Sequence, residues 1–139
     1  MRDLYMLFFR SIIGLSMLWG HGWGKLINYS TLAGNFPDPL GIGSELSLLM
    51  LIGAEVFASI LLILGFFVRL SILPLIIAMG TAFFVFHSAD PWDKKELAFT
   101  YLIPFIYIFF TGAGKYSLAS WLKTYLPLRD NKIIKWLTD

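Results

Sequence analysis

Apolar residues in this chain come in long unbroken runs, not in the narrow stripe of a surface helix. Four runs stand out, over residues 4–27, 46–68, 70–88 and 96–112. At about 1.5 Å of rise per residue the first two reach roughly 35 Å, enough to cross a bilayer core of about 30 Å with some tilt. The other two lie near the short limit of about 17 residues, with ends that extend to Ser88 and Glu96. The pattern predicts an all-α integral membrane protein: a bundle of four transmembrane helices, with residues 1–139 forming a single membrane domain.

The breaks between runs fit that reading. Residues 35–41 hold Pro37, Pro39 and Gly41, which deny a helix its hydrogen bonds and predict a loop. Phe67-Val68-Arg69 reads as a tight reversal, and Ala89-Asp90-Pro91-Trp92-Asp93 as a second turn. Pro74 is expected in the first turn of the third helix, and Pro104 inside the fourth predicts a kink. Residues 117–126, with Trp121, Lys123 and Tyr125, read as a short interfacial helix opening a basic tail at 117–139. Arg10 interrupts the first run and no small-residue cleavage site follows, so this run is expected to be a mature span and not a signal peptide.

Basic residues set the orientation. Arg2, Arg10, Arg69, Lys115, Lys123, Arg129, Lys132 and Lys135 fall on one side of the expected bundle, and Lys25, Lys94 and Lys95 on the other. The imbalance predicts both termini in the cytoplasm. Composition sharpens the exclusions: 58% of residues are hydrophobic and 14% charged, against about half and a quarter in soluble domains. Cysteine is absent, so no disulfide, thiolate metal site or dithiol redox centre is available. A net charge of +2 gives no ground for nucleic-acid binding, and the bilayer itself is the expected partner.

Against this background the polar residues inside the runs carry the chemistry, because each charge in a span costs about 2.5–3.5 kcal/mol unless it faces protein or water. On the first helix Arg10, Gly14, Met17, His21 and Lys25 follow one another at steps of three or four, which places them on one face. Glu96, Thr100, Tyr107 and Thr111 suggest a similar stripe on the fourth. The second helix contributes Glu55 and Ser59, and the third His87 with Gly80 below it. Counting rise from the cytoplasmic side puts Arg10 about 9 Å and Glu55 about 18 Å deep, with both histidines near 25 Å. Two layers are therefore expected: an Arg10–Glu55 pair with Tyr107 below, and a cluster of His21, Lys25, His87 and Glu96 above. These seven residues are the ligand-binding or polar-core candidates. None is assigned as catalytic. Two histidines and Glu96 match a metal set in residue type only, so no metal is expected, and the glycines of Gly20-His21-Gly22-Trp23-Gly24 are read as allowing close helix contact.

Several of these features, in order, resemble the DoxX family: Arg10 with Gly14-Leu15, then His21-Gly22-Trp23-Gly24-Lys25-Leu26, Glu55, Leu64-Gly65-Phe66-Phe67-Val68-Arg69 and Ala78-Met79. Gly112-Ala113-Gly114-Lys115-Tyr116-Ser117-Leu118 is similar to the family's Gly-Pro-Gly-Arg-x-Ser-Leu-Asp ending, with Ala113 in place of the proline and Ala119 in place of the aspartate. The resemblance implies a four-helix, multi-pass protein of the bacterial inner membrane. Its relatives are linked to thiosulfate:quinone oxidoreductase, to redox-stress complexes or to maturation of secreted enzymes. The expected function is a membrane subunit of a redox system that binds a quinone or similar lipid-like electron carrier, with no covalent cofactor and a membrane or periplasmic redox protein as partner. The chain offers no electron-carrying group of its own, so it is not expected to be a complete enzyme. A non-enzymatic scaffold or chaperone, and a small proton-coupled permease built from a homo-oligomer, are the alternatives. Ala54/Ala58 and Ala78/Ala82 offer contact faces for such an oligomer.

Overall fold

The computed structural model describes residues 1–125, and among them it shows four helical rods and two short helices. The first rod is α1 (Arg2–Met17), a π-helical turn at Leu18–Gly22, and α2 (Trp23–Ile27). A short α3 (Tyr29–Leu32) follows, between the first run and the expected loop at 35–41. The second rod is α4 (Ser44–Ile52), a π turn at Gly53–Ala58, and α5 (Ser59–Leu64). The third is α6 (Val68–Thr81) with a π turn at Ala82–Phe86, and the fourth is α7 (Trp92–Thr111). A final α8 (Leu118–Tyr125) lies where an interfacial helix was expected, while residues 126–139 of that expected tail lie outside the described residues.

The ends of the rods differ from the expected ones for local reasons. Rod two stops at Leu64 because Gly65 takes a left-handed conformation, φ 71°, and Phe67 another, φ 47°. The reversal is thus Gly65–Phe67 rather than 67–69, since glycine is the residue that accepts this geometry without a Cβ clash. With α6 beginning at Val68, Pro74 falls in the helix interior, beyond the first turn. Rod four begins at Trp92 because Pro91 is extended and sits at its N-terminal cap, so the charged Asp93–Glu96 segment is helical too.

Rods two and three, Ser44–Leu64 and Val68–Phe86, are long and apolar enough to cross a membrane, with mean hydropathies of 2.4 and 2.0. Rod one is diluted by Arg10, His21 and its glycines, and rod four by Asp93–Glu96. All four expose large apolar side chains, among them Phe8, Ile12, Leu49, Phe57, Leu70, Ile77, Ile103 and Phe110. Inside, Met17, Leu62, Ile72, Leu75, Phe105 and Ile108 form the core, and Arg10 and Glu55 are buried among them. An apolar exterior around buried charge suits lipid, not water, as the solvent.

Both ends of the described chain meet at one end of the bundle. Asp3 Oδ1 accepts from the Lys115 amide at 3.3 Å, and the Ala119 amide donates to the Gly65 carbonyl at 3.2 Å. At the opposite end, Tyr29, Leu32, Ala33 and Phe36 pack on Leu48, Ile52 and Val56 and fasten the first loop over the bundle.

Candidate functional site

The polar residues of the two expected layers take partners other than those expected. Arg10 does not pair with Glu55. Its guanidinium donates to the carbonyls of Leu62 at 2.7 Å, of Ile63, and of Tyr116 at 2.6 Å. Leu62 and Ile63 lie in the last turn of rod two, where carbonyls lack the donors of a continuing helix; the Gly65 amide reaches the Leu62 carbonyl at 3.1 Å, and Arg10 supplies the remaining donors, so it caps that helix and ties it to the C-terminal segment. Gly65 makes room, for a Cβ there would stand 2.8 Å from the guanidinium carbon. Arg69 repeats the device by donating through Nε to the Phe109 carbonyl, near the end of rod four, at 3.1 Å.

Glu55 pairs instead with Lys25, Nζ to Oε2 at 2.7 Å. The ammonium also reaches the His21 carbonyl at 3.3 Å, which fixes it one helical turn above. Gly22 brings the rods together at this level: a Cβ on it would sit 2.8 Å from the carbonyl carbon and oxygen of Glu55. The expectation of close contact through glycine holds for Gly22, whereas Gly20 and Gly24 face open space. His21 packs edge-on against Tyr101, ring centres 5.2 Å apart.

Glu96 leaves the expected cluster, and His87 takes a partner outside it. His87 Nδ1 is 2.7 Å from Asp90 Oδ2, in the turn after rod three. Glu96 and Tyr107 are exposed, as are Thr100 and Thr111, so the whole expected stripe of rod four points outward. The buried face is Ala98, Leu102, Phe105 and Ile108, because an apolar face buries against the core more cheaply than a polar one. Tyr107 stacks edge-on with Phe9, centres 5.8 Å apart. Both line a lateral groove of about 640 Å³ with Arg2, Tyr5 and Pro104, remote from Glu55.

Above the Lys25–Glu55 pair lies a cavity of about 410 Å³. His21, Lys25, Glu55, His87, Lys94 and Tyr101 supply its polar wall, and Met50, Ile77, Ala78, Ala82 and Phe86 its apolar one. Phe36, Pro37, Pro39, Leu40 and Ile42 roof it. Met50 and Ile77 are exposed on the flank of rods two and three, so the cavity opens sideways there. Each of the three π turns contributes lining residues: His21 in the first, Ala54 and Glu55 in the second, Ala82 and Phe86 in the third. Such turns add a residue to the helical repeat and re-aim the side chains beyond it, and they gather at functional sites.

The roof is held by Asp38. Its carboxylate accepts from Ser47 Oγ at 2.7 Å, from the Gly43 amide at 2.7 Å and from the Ile42 amide at 3.0 Å, just before and within the first turn of α4. The Ser47 hydroxyl foremost, then the Gly43 amide, hold its pKa below the usual carboxylate value. Tyr29 donates to Glu45 at 2.8 Å, and that bond raises the pKa of the phenol. Tyr101 and Asp38 were not among the expected site residues. A signal for Asp38 was present, since Asp a few residues before Gly-x-Gly-Ser suits a turn that leads into a helix. Tyr101 carried none beyond its neighbours on an apolar run.

The DoxX family model matches residues 5–88, more than half of the chain and the part that holds Arg10, His21, Lys25, Glu55 and His87. Rod four and the Gly112–Leu118 ending lie beyond the match. An uncharacterized protein of Haemophilus influenzae is 33% identical over 140 residues, covering 94% of this chain and 92% of its own length. No solved structure matches this chain.

Proposed function

The chain belongs to the DoxX family of membrane proteins, and on that premise we propose that it is a membrane subunit of a redox system, holding the head group of a quinone or similar lipid-like carrier in the cavity above Lys25 and Glu55. One observation carries this reading: a buried ion pair forms part of the wall of a cavity whose other surfaces are largely apolar and which opens toward the lipid. A carrier with a polar ring and a hydrocarbon tail matches both surfaces, since binding sites of this kind are mainly apolar with a few placed polar groups. The residues present fit such a group: Lys25 and Glu55 would bind its oxygen, Tyr101 and His21 would face its ring, and Met50 and Ile77 would pass its tail. Bound there, the carrier would supply the electron-accepting chemistry that this cysteine-free chain lacks.

The same reading sets the protein in a bacterial inner membrane as a multi-pass protein with four spans and both termini cytoplasmic. Arg2, Arg10, Arg69, Lys115 and Lys123 gather at the end where the described termini meet, and the cavity end carries Lys25, Lys94 and Lys95, which supports that orientation. The roof then faces the periplasm, where a redox partner would dock.

Mass spectrometry of lipids extracted from gently purified protein tests the proposal. Quinone is expected near one per chain in the wild type and depleted in Glu55→Ala and His21→Ala. Quinone no richer than in the surrounding membrane would remove the redox reading and leave the polar wall a structural feature of a scaffold.

A further inference from the structure

The hydrogen-bonding capacity left over beside the cavity specifies what its ligand must offer. Glu55 accepts from Lys25 with Oε2, while Oε1 has no partner among the described residues. Oε1 is also not sealed from solvent or ligand: among the described residues the sealed, unpartnered polar side-chain atoms are Arg10 Nε and Ser59 Oγ. Lys25 directs two bonds, to Glu55 and to the His21 carbonyl, and an ammonium has three N–H groups. The pair is neutral as a whole. At this point the wall presents an acceptor and a donor side by side, while Lys94, which also lines the cavity, adds a positive charge elsewhere on it.

A carbonyl oxygen can take the Lys25 proton but meets the carboxylate with lone pairs against lone pairs. A hydroxyl satisfies both, donating to Glu55 Oε1 and accepting from Lys25. An anionic head group is opposed by Glu55 and a cationic one by Lys25. We propose that the cavity selects the reduced, hydroxyl-bearing form of its carrier, a hydroquinone in preference to the matching quinone. The inference rests on the carrier reading above and adds the oxidation state that the site prefers. A hydrogen bond to a charged acceptor is among the stronger ones in proteins, so the expected preference is about tenfold or more. Tighter binding of the reduced form raises the potential of the bound carrier by about 30 mV for each tenfold, for a two-electron couple.

The test uses the full chain in nanodiscs free of endogenous quinone, with a decyl-substituted benzoquinone and its hydroquinone kept reduced under anaerobic conditions, and reads equilibrium binding of each. The wild type should bind the hydroquinone about tenfold more tightly. Glu55→Gln, which turns an acceptor into a partial donor, should erase the preference. Equal affinity of the wild type for the two forms overturns the inference and leaves the carrier reading intact. Saturable binding of neither form overturns both. Should Glu55→Gln fail to fold, Ala78→Phe fills the cavity while leaving the ion pair, and both ligands should lose binding. Binding that survives Ala78→Phe would put the ligand elsewhere and overturn the proposal.

Discussion

Arg10 and Glu55 are equally removed from solvent, at 1% and 2% exposure, yet they are satisfied in opposite ways. Arg10 gives its protons to three backbone carbonyls, two from rod two and one from the C-terminal segment. Those acceptors cannot move without unwinding a helix end, and Gly65 lies against the guanidinium with no room for a methyl group. Glu55 has a single side-chain partner, Lys25, which is itself partly exposed and lines a cavity. A flexible lysine can release or share its bond at the expense of a rotamer change. The contrast separates two uses of charge in a bundle: charge locked onto backbone fastens helices, and charge held by a side chain beside open space remains available to a ligand.

The sharpest way to break this comparison is to remove the fastening. Arg10→Met keeps an unbranched apolar stem but leaves the Ile63 and Tyr116 carbonyls without a donor, while that of Leu62 keeps the Gly65 amide, at about 1–3 kcal/mol for each buried group left unsatisfied. The variant should lose about 2–4 kcal/mol of stability in thermal or detergent unfolding, the largest effect expected of any single substitution. The contact of the Tyr116–Ala119 segment with Gly65 should loosen with it. Any folded fraction should bind carrier as the wild type does, because the cavity is not lined by Arg10. Unchanged stability would mean that Arg10 merely reaches the head groups.

How far the sequence foretold these two sites follows from what each depends on. The four apolar runs, the breaks between them and the polar face of rod one were legible, because each rests on composition and on a helical period. Met6, Arg10, Gly14 and Met17 are indeed the buried residues of α1. The partner of Arg10 was not legible as a side chain because it is none: a helix that stops before Gly65 leaves free carbonyls whatever its residues are. The expected Arg10–Glu55 pair came from counting a uniform rise, whereas the nearer acceptors were at the end of the same rod. The rod-four stripe failed for a related reason. Glu96, Thr100, Tyr107 and Thr111 share a face, but the rod turns it outward to bury Phe105 and Ile108. The cavity itself depends on three π turns, and no residue pattern in the runs marks where a helix takes up an extra residue.

A smaller effect sharpens the other side of the comparison. Lys25→Met leaves Glu55 buried without its partner, and Glu55→Gln leaves Lys25 with an amide. Each should cost about 1–2 kcal/mol, less than loss of Arg10, because the cavity lets water or ligand reach whatever is left. The double variant Lys25→Met/Glu55→Gln should recover part of that, with a coupling of about 0.5–1.5 kcal/mol in a double-mutant cycle. Additive losses would mean the pair is not a unit, and the argument for an exchangeable site would fail with it.

The smallest effect concerns the roof, where one half-buried carboxylate does for a loop what Arg10 does for a rod. Asp38 holds the Ile42 and Gly43 amides and the Ser47 hydroxyl, and these bonds depress its pKa. A group whose folded pKa is lowered contributes stability that is fully present above its unfolded value, near 3.9, and is lost as pH falls through the lower folded value. Amide exchange at Ile42 and Gly43, corrected for its intrinsic pH dependence, should therefore show constant protection from neutral pH down to about 4.5 and a decline only below about pH 4. Asp38→Ala should remove the protection at every pH while leaving the core helices intact, since only the start of α4 and the roof depend on it. Carrier affinity in that variant should fall by a few-fold at most, about what loss of a roof contact is worth beside an intact Lys25–Glu55 wall. A fall as large as that of Glu55→Ala would show that the roof, and not the ion pair, holds the ligand, and the comparison drawn from Glu55 would have to be redrawn around Asp38.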